Sequence, residues 1–172
     1  MSVYNCERYL NDAIESILNQ EYKFIEFIII NDGSSDKSLS IIREYEKKDK
    51  RIKIIDQKNM GLTKALNVGI KKATGTYLAR MDADDISLKN RFTNFIKYIN
   101  NYGQIDIYST PSSVIDETSE FRRTIPNYFR RNGFNQKLLN YNNSMIHGTL
   151  IIKANTLNNN TNFIKYIVSN ML

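Results

Sequence analysis

Asp82, Asp84 and Asp85 close the stretch Tyr77-Leu78-Ala79-Arg80-Met81, so three carboxylates fall within four positions directly after an apolar run. Ionised side by side they repel one another, and the repulsion is relieved by solvent screening, by protonation of one of them, or by a divalent cation. Hard carboxylate oxygens at a strand end suit magnesium or manganese, which take one or two protein carboxylates and complete their shell with water and substrate phosphate. The competing reading is an acidic loop that caps the next helix, because helix starts favour Asp. The cluster alone leaves these two readings level.

A second polar stop, Asn31-Asp32-Gly33-Ser34-Ser35, ends the run Phe24 to Ile30, which is apolar except for Glu26. Other site chemistries lack support. There is no Gly-x-x-x-x-Gly-Lys phosphate loop, no dinucleotide fingerprint around Gly69 and Gly75, no serine elbow and no His-Glu-x-x-His helix. Cys6 is the only cysteine, which excludes an intrachain disulfide and a cysteine zinc site; it reads as a small residue near a core strand.

The elements that must carry these residues can be read from periodicity. Leu10, Ala13, Ile14, Ile17 and Leu18 follow helical spacing and predict a helix over Glu7 to Gln20 with one buried face. Phe24 to Ile30 reads as a buried strand of the parallel kind. Ser35 or Asp36 then caps a helix to about Lys48, and Arg51 to Asp56 forms the next strand. Leu62, Ala65, Leu66, Gly69, Ile70 and Ala73 trace a third helix, with Gly75 expected as its left-handed cap, and Thr76 to Met81 is the strand that leads into the carboxylates. Alternating strands and helices with short links build a parallel sheet whose ligands sit beyond the carboxyl ends of the strands, so Asp32 and the cluster at Asp82 fall on one rim.

Beyond this, Leu88 to Asn100 reads as a helix, and Ile105 to Thr110 and Ser113 to Ile115 as strands around Pro111. Phe121 to Phe134, basic and aromatic, reads equally as a lid or acceptor loop and as a plain surface excursion. His147, the only histidine, precedes the apolar run Leu150-Ile151-Ile152. No internal repeat or heptad pattern is present.

At 172 residues and 41% apolar, the chain is sized for one domain with a real core. The net charge of +6 admits phosphorylated or polyanionic partners and anionic membrane surfaces. The basic residues alternate with acidic ones, as in Arg43 to Arg51, which is the pattern of a solvated face, and nucleic acid is not the expected partner. No run reaches the roughly 20 apolar residues of a membrane helix and no leader pattern is seen, so the expected location is the cytoplasm or the inner face of the membrane.

Four segments in fixed order carry a further pattern. They are Ser2-Val3-Tyr4-Asn5; Ile30 to Asp36; Asn59-Met60-Gly61-Leu62 with Ala65 to Gly69; and Gly75 to Asp85. Together they resemble the family 2 glycosyltransferases, over Met1 to roughly Arg91 and more weakly to about Leu157. The resemblance implies an α/β fold of the GT-A type, with a Rossmann-like, mainly parallel sheet covered by helices on both faces. It implies a nucleoside-diphosphate sugar as donor, a UDP-sugar first, a glycan or lipid-linked acceptor, transfer with inversion, and Mg2+ or Mn2+. By the same resemblance Ser2, Tyr4, Asp32, Gly61, Asn67 and Asp82 would contact the donor, and Asp84 with Asp82 would hold the metal. Each has an alternative: Asp32 could only start a turn, and Gly61 and Asn67 could serve helix start and packing. Arg80 could be only a sheet residue.

The chain also departs from that pattern. His147 matches a histidine of a His-Pro element, but Gly148 replaces the proline, leaving an acceptor or diphosphate role level with a structural one. Inverting transfer needs a general base within reach of the acceptor hydroxyl, and no acidic residue follows Glu120. The expectation is a domain over 1–157 whose first strand and base-bearing region are incomplete, followed by a divergent Asn-rich tail over 158–172. The alternative reading is a catalytically impaired nucleotide-sugar-binding remnant or a scaffold subunit, with a protein or peripheral membrane partner.

Overall fold

The computed structural model describes residues 1–116, 118–125 and 147–158. Its first helix forms where the apolar stripe predicts it, though it is shorter: α1 spans Leu10–Leu18 and buries Leu10, Ala13, Ile14 and Ile17. The strand before it, β1 (Ser2–Val3), lies parallel to β2 (Phe27–Asp32), with Ser2 opposite Ile30 and Val3 opposite Asn31. β2 starts three residues later than predicted, because Phe24 is 87% exposed, and it runs on through Asn31 and Asp32, which are buried. Next come α2 (Ser38–Lys48), β3 (Ile52–Gln57), parallel to β2 along its whole length, and α3 (Leu62–Lys72).

Alternation along β2 sorts its side chains between two layers. Phe27 and Ile29 join Leu10, Ile14 and Ile17 of α1 and Ile42 of α2 in one cluster. Ile30 meets α3, where a Cβ added at Gly69 would stand 2.8 Å from its Cδ1, so glycine lets helix and strand approach. Each fully buried aliphatic side chain contributes about 1.5–3 kcal/mol.

The second half of the sheet differs from expectation. β4 is only Tyr77–Ala79, and it pairs antiparallel with β8 (Ile151–Lys153), which in turn pairs antiparallel with β5 (Ile107–Tyr108). One isolated parallel bridge, Ser2 with Asp82, links this half to β1. The sheet is therefore mixed, parallel over β3-β2-β1 and antiparallel over β4-β8-β5. Along the chain between β4 and β8, besides β5, come α4 (Arg91–Tyr102), a hairpin of β6 (Ser112–Ile115) and β7 (Phe121–Ile125), and a 3-10 turn at His147–Thr149; α5 (Ala154–Asn158) follows β8. Phe121–Ile125, part of the stretch read either as a lid or acceptor loop or as a plain surface excursion, is a hairpin strand, and 126–134 lies outside the described residues. Gly75 does not cap α3, which ends at Ala73 in extended backbone; the left-handed glycine at a helix end is Gly103, φ 84°, after α4.

The start of β2 and β4 face each other across an apolar cavity of about 400 Å³ lined by Met1, Phe27, Ile28, Leu78, Met81 and Phe95 among others. The amino group of Met1 is buried there and donates to the carbonyl of Ile28 at 2.9 Å. Burial, with the nearby Arg80 charge, lowers its pKa from 8.0 to about 5. The unfolded chain therefore binds the proton more tightly than the folded one. Stability of the chain starting at Met1 is expected to rise as pH increases from about 5 to about 8, by on the order of 4 kcal/mol for a three-unit shift. Urea midpoints measured across that range check this, and a flat profile would mean that the amine is solvated.

Candidate functional site

The carboxyl ends of β1 and β2 are stitched together by side chains. Asn5, in the left-handed region at φ 51°, accepts from the Ser35 amide (2.8 Å), while its own amide donates to Ser34 Oγ (3.1 Å). Cys6 N–H donates to Ser38 Oγ (2.9 Å), Glu7 N–H to Asp36 Oδ2 (3.0 Å), and the Ser38 amide to Asp36 Oδ1 (2.9 Å); the N-cap position of α2 is Lys37, not Ser35 or Asp36 as expected, and Asp36 ties down the first helical amide from one residue further out. Short polar side chains that bond to nearby backbone favour such turns over regular structure.

Asp32, 2% exposed, is the anchor of the next loop. Its Oδ1 accepts from Gln57 Nε2 (2.7 Å) and the Met60 amide (3.0 Å), and its Oδ2 from the Gly61 amide (2.8 Å). A carboxylate offers about four acceptor sites, so one remains open beside three that shape the loop. Gly61 leads into α3 at φ 85°, which glycine adopts without strain. Gly33, φ 75°, allows the β2–α2 loop to abut this one, since a Cβ there would lie 2.5 Å from the Asn59 nitrogen.

On the other flank the Ser2–Asp82 bridge puts the acidic turn beside β1. Chain order moves from β1 to β2 and β3 on one side and returns to β4 on the other, so β1 marks the topological switch point, where open α/β sheets place their ligands. A cleft of about 240 Å³ opens there, lined by Ser2, Tyr4, Asp32, Gly61, Asp82 and Asp84, with Cys6, Asn59, Leu62 and Ala83. Six of the residues expected to contact donor or metal are therefore brought together. Asn67, half-buried in α3, does not line this cleft, and His147 lines the apolar cavity instead. Cys6 packs against the core cluster, as read from the sequence, and also lines the cleft, and burial holds its thiol above the usual range.

The carboxylates are not equivalent. Asp82 is gripped by Arg80 through two bonds, Nη1 to Oδ2 at 2.7 Å and Nη2 to Oδ1 at 2.6 Å. Asp84 is exposed, and no side-chain bond ties it down among the described residues. Asp85 has its carboxyl pushed up, by desolvation first and then by the charges of Asp82 and Asp84. Gly148 approaches them closely, as an added Cβ would stand 2.6 Å from Asp85 Oδ2 and 3.1 Å from Asp82 Oδ2. Arg91, 8% exposed, donates to the carbonyls of Arg80 (2.9 Å) and Gly148 (3.2 Å) and so holds the turn against the segment before β8. The role of Arg91 was not legible in the sequence, because its partners lie in segments that only the fold brings together, and that of Arg80 was not, because residue types alone do not fix which way its side chain turns.

A divalent ion fits this donor set in a specific way. Among the described residues no three His, Cys, Asp or Glu side chains converge closely enough to hold an ion alone. Asp84 presents a free hard-oxygen ligand to the cleft, which is what Mg2+ or Mn2+ needs when phosphate oxygens and water supply the rest.

The sequence model of Glycosyl transferase family 2 matches residues 1–154. The chain belongs to that family. This family 2 chain is 43% identical over 115 residues to an uncharacterized glycosyltransferase of Haemophilus influenzae, covering 66% of this chain and 36% of that one. It is 40% identical over 119 residues to the putative glycosyltransferase EpsE of Bacillus subtilis, covering 68% and 43%. Among solved structures it is similar to S. aureus TarS 1-349 in complex with UDP-GlcNAc, at a TM-score of 0.72 and 20% identity over 93% of this chain and 46% of that one. It is also similar to the mannosyltransferase PcManGT of Pyrobaculum calidifontis in complex with GDP-Man and Mn2+, at a TM-score of 0.65 and 18% identity over 92% and 44%. The fold is thus the GT-A type of α/β sheet expected from the sequence, and the family 2 chain spans less than half the length of these relatives.

Proposed function

We propose that this family 2 chain carries the donor half of a glycosyltransferase that moves a sugar from a nucleoside-diphosphate sugar, a UDP-sugar first, to a glycan or lipid-linked acceptor with inversion. The observation that carries the reading is the cleft at the switch point, where Asp84 stands free opposite Ser2, Tyr4 and the loop fixed by Asp32. Tyr4, 52% exposed, offers a ring face to a base, and Asp32 keeps one acceptor site for a base or ribose donor. Asp84, with Asp82 beside it, would hold Mg2+ or Mn2+, which supplies charge stabilisation to a departing diphosphate without a proton donor. The UDP-GlcNAc bound to TarS and the GDP-Man and Mn2+ bound to PcManGT support this donor class and this metal class.

Calorimetric titration with UDP, GDP and dTDP, and with their sugars, in millimolar Mn2+ tests the proposal. Saturable binding of one nucleoside diphosphate that is lost on chelation is the expected result. Absence of binding for every nucleotide at millimolar metal would overturn it.

A further inference from the structure

Arg80 and Arg91 are two little-exposed guanidinium groups set against the acidic turn. The Arg80 side chain is 10% exposed and lays its fork on both oxygens of Asp82. Arg91 is 8% exposed and is spent on two backbone carbonyls, of Arg80 and Gly148. The Nε atoms of both are buried with no hydrogen-bond partner among the described residues, so each cation is satisfied through its Nη atoms alone. Burial lowers the Arg91 pKa only to about 10, and it stays charged at neutral pH. The formal sum over Arg80, Arg91, Asp82, Asp84 and Asp85 is two positive against three negative charges, a surplus of one negative charge.

A divalent ion gives up hydration only for several anionic oxygens, and Mg2+ does so reluctantly. Here one expected ligand, Asp82, is occupied by Arg80, and the turn offers a single net negative charge. A nucleoside diphosphate brings the anionic oxygens that the turn lacks.

We infer that Arg80 and Arg91 are positioning residues that hold the Asp82–Asp85 turn nearly neutralised, so that the cleft takes a divalent cation together with a nucleoside diphosphate and does not take the cation alone. This rests on the donor reading above. A merely structural role for Arg80 would alter stability and leave the affinity for the bare ion unchanged.

The test is Mn2+ binding to the 172-residue chain, read from the electron paramagnetic resonance of free Mn2+, with and without UDP. In the wild type, UDP is expected to tighten Mn2+ binding at least about tenfold, and Arg80→Met, which removes the charge and keeps an apolar stem, to tighten binding of the bare ion by about tenfold or more. Arg80→Lys, which keeps the charge, should stay within about threefold of the wild type for the bare ion. If Arg80→Met fails to fold by circular dichroism, Arg80→Gln takes its place and is read in the same way. The inference is overturned if the wild type binds bare Mn2+ as tightly as Mn2+ with UDP, or if a folded uncharged variant binds the bare ion no more tightly than the wild type. Failure of UDP to bind at any Mn2+ concentration would overturn the donor reading, while the bare-ion comparison of wild type and variant would still decide the effect of the arginine charge.

Discussion

Asp84→Ala is expected to weaken binding of a nucleoside diphosphate in Mn2+ by at least about a hundredfold while leaving the melting temperature nearly unchanged. The two halves of this result have separate causes. Asp84 is exposed and makes no side-chain bond among the described residues, so its removal exposes no orphaned partner and opens no cavity. As the one carboxylate of the cleft that is neither gripped by Arg80 nor spent on a loop, it is also the ligand that an incoming ion can use without breaking anything. Calorimetry with UDP and Mn2+, next to a thermal melt, measures both. Retention of metal-dependent affinity would remove Asp84 from the site.

Asp32→Ala should have the opposite balance, with a loss of about 3–5 kcal/mol of stability, a fall in melting temperature of roughly 10 °C, and loss of nucleotide binding as a consequence. Asp32 is 2% exposed and receives three hydrogen bonds, two of them from backbone amides of Met60 and Gly61 that have no other partner in view. Alanine leaves those donors facing a small void and frees the loop that leads into α3. Denaturant titration gives the stability change directly. If stability were unchanged and only affinity fell, Asp32 would be a ligand contact and not the anchor of the loop.

How much of this was legible in the sequence follows from the range of the interactions. The stripes of α1 and α3 and the β-branched run of β2 are local patterns, and they produced elements within a few residues of prediction. The convergence of Asp32 with Asp82 and Asp84 was also readable, because parallel topology alone puts those strand ends on one rim. What failed was mostly non-local. β4 takes its partner from residues 151–153, and nothing in Tyr77–Ala79 announces an antiparallel neighbour so far along the chain. The value of Gly148 depends on carboxylates more than sixty residues earlier, whereas the distinction between Asp82 and Asp84 is a local failure, since residue types do not fix which way Arg80 turns. Gly75 was misread because a glycine after a helical stripe is a common stop signal, whereas here the chain leaves α3 in extended backbone at Ala73.

The lone Ser2–Asp82 bridge has a consequence for how the protein moves. Among the described residues the parallel and antiparallel halves of the sheet share no longer ladder, so each can open on its own schedule and their amides should exchange with solvent as two cooperative units. The cleft straddles that seam, with Ser2, Tyr4, Asp32 and Gly61 on one bank and Asp82 and Asp84 on the other. A ligand that touches both banks acts as a rivet, and part of its binding free energy goes into fusing two breathing units into one.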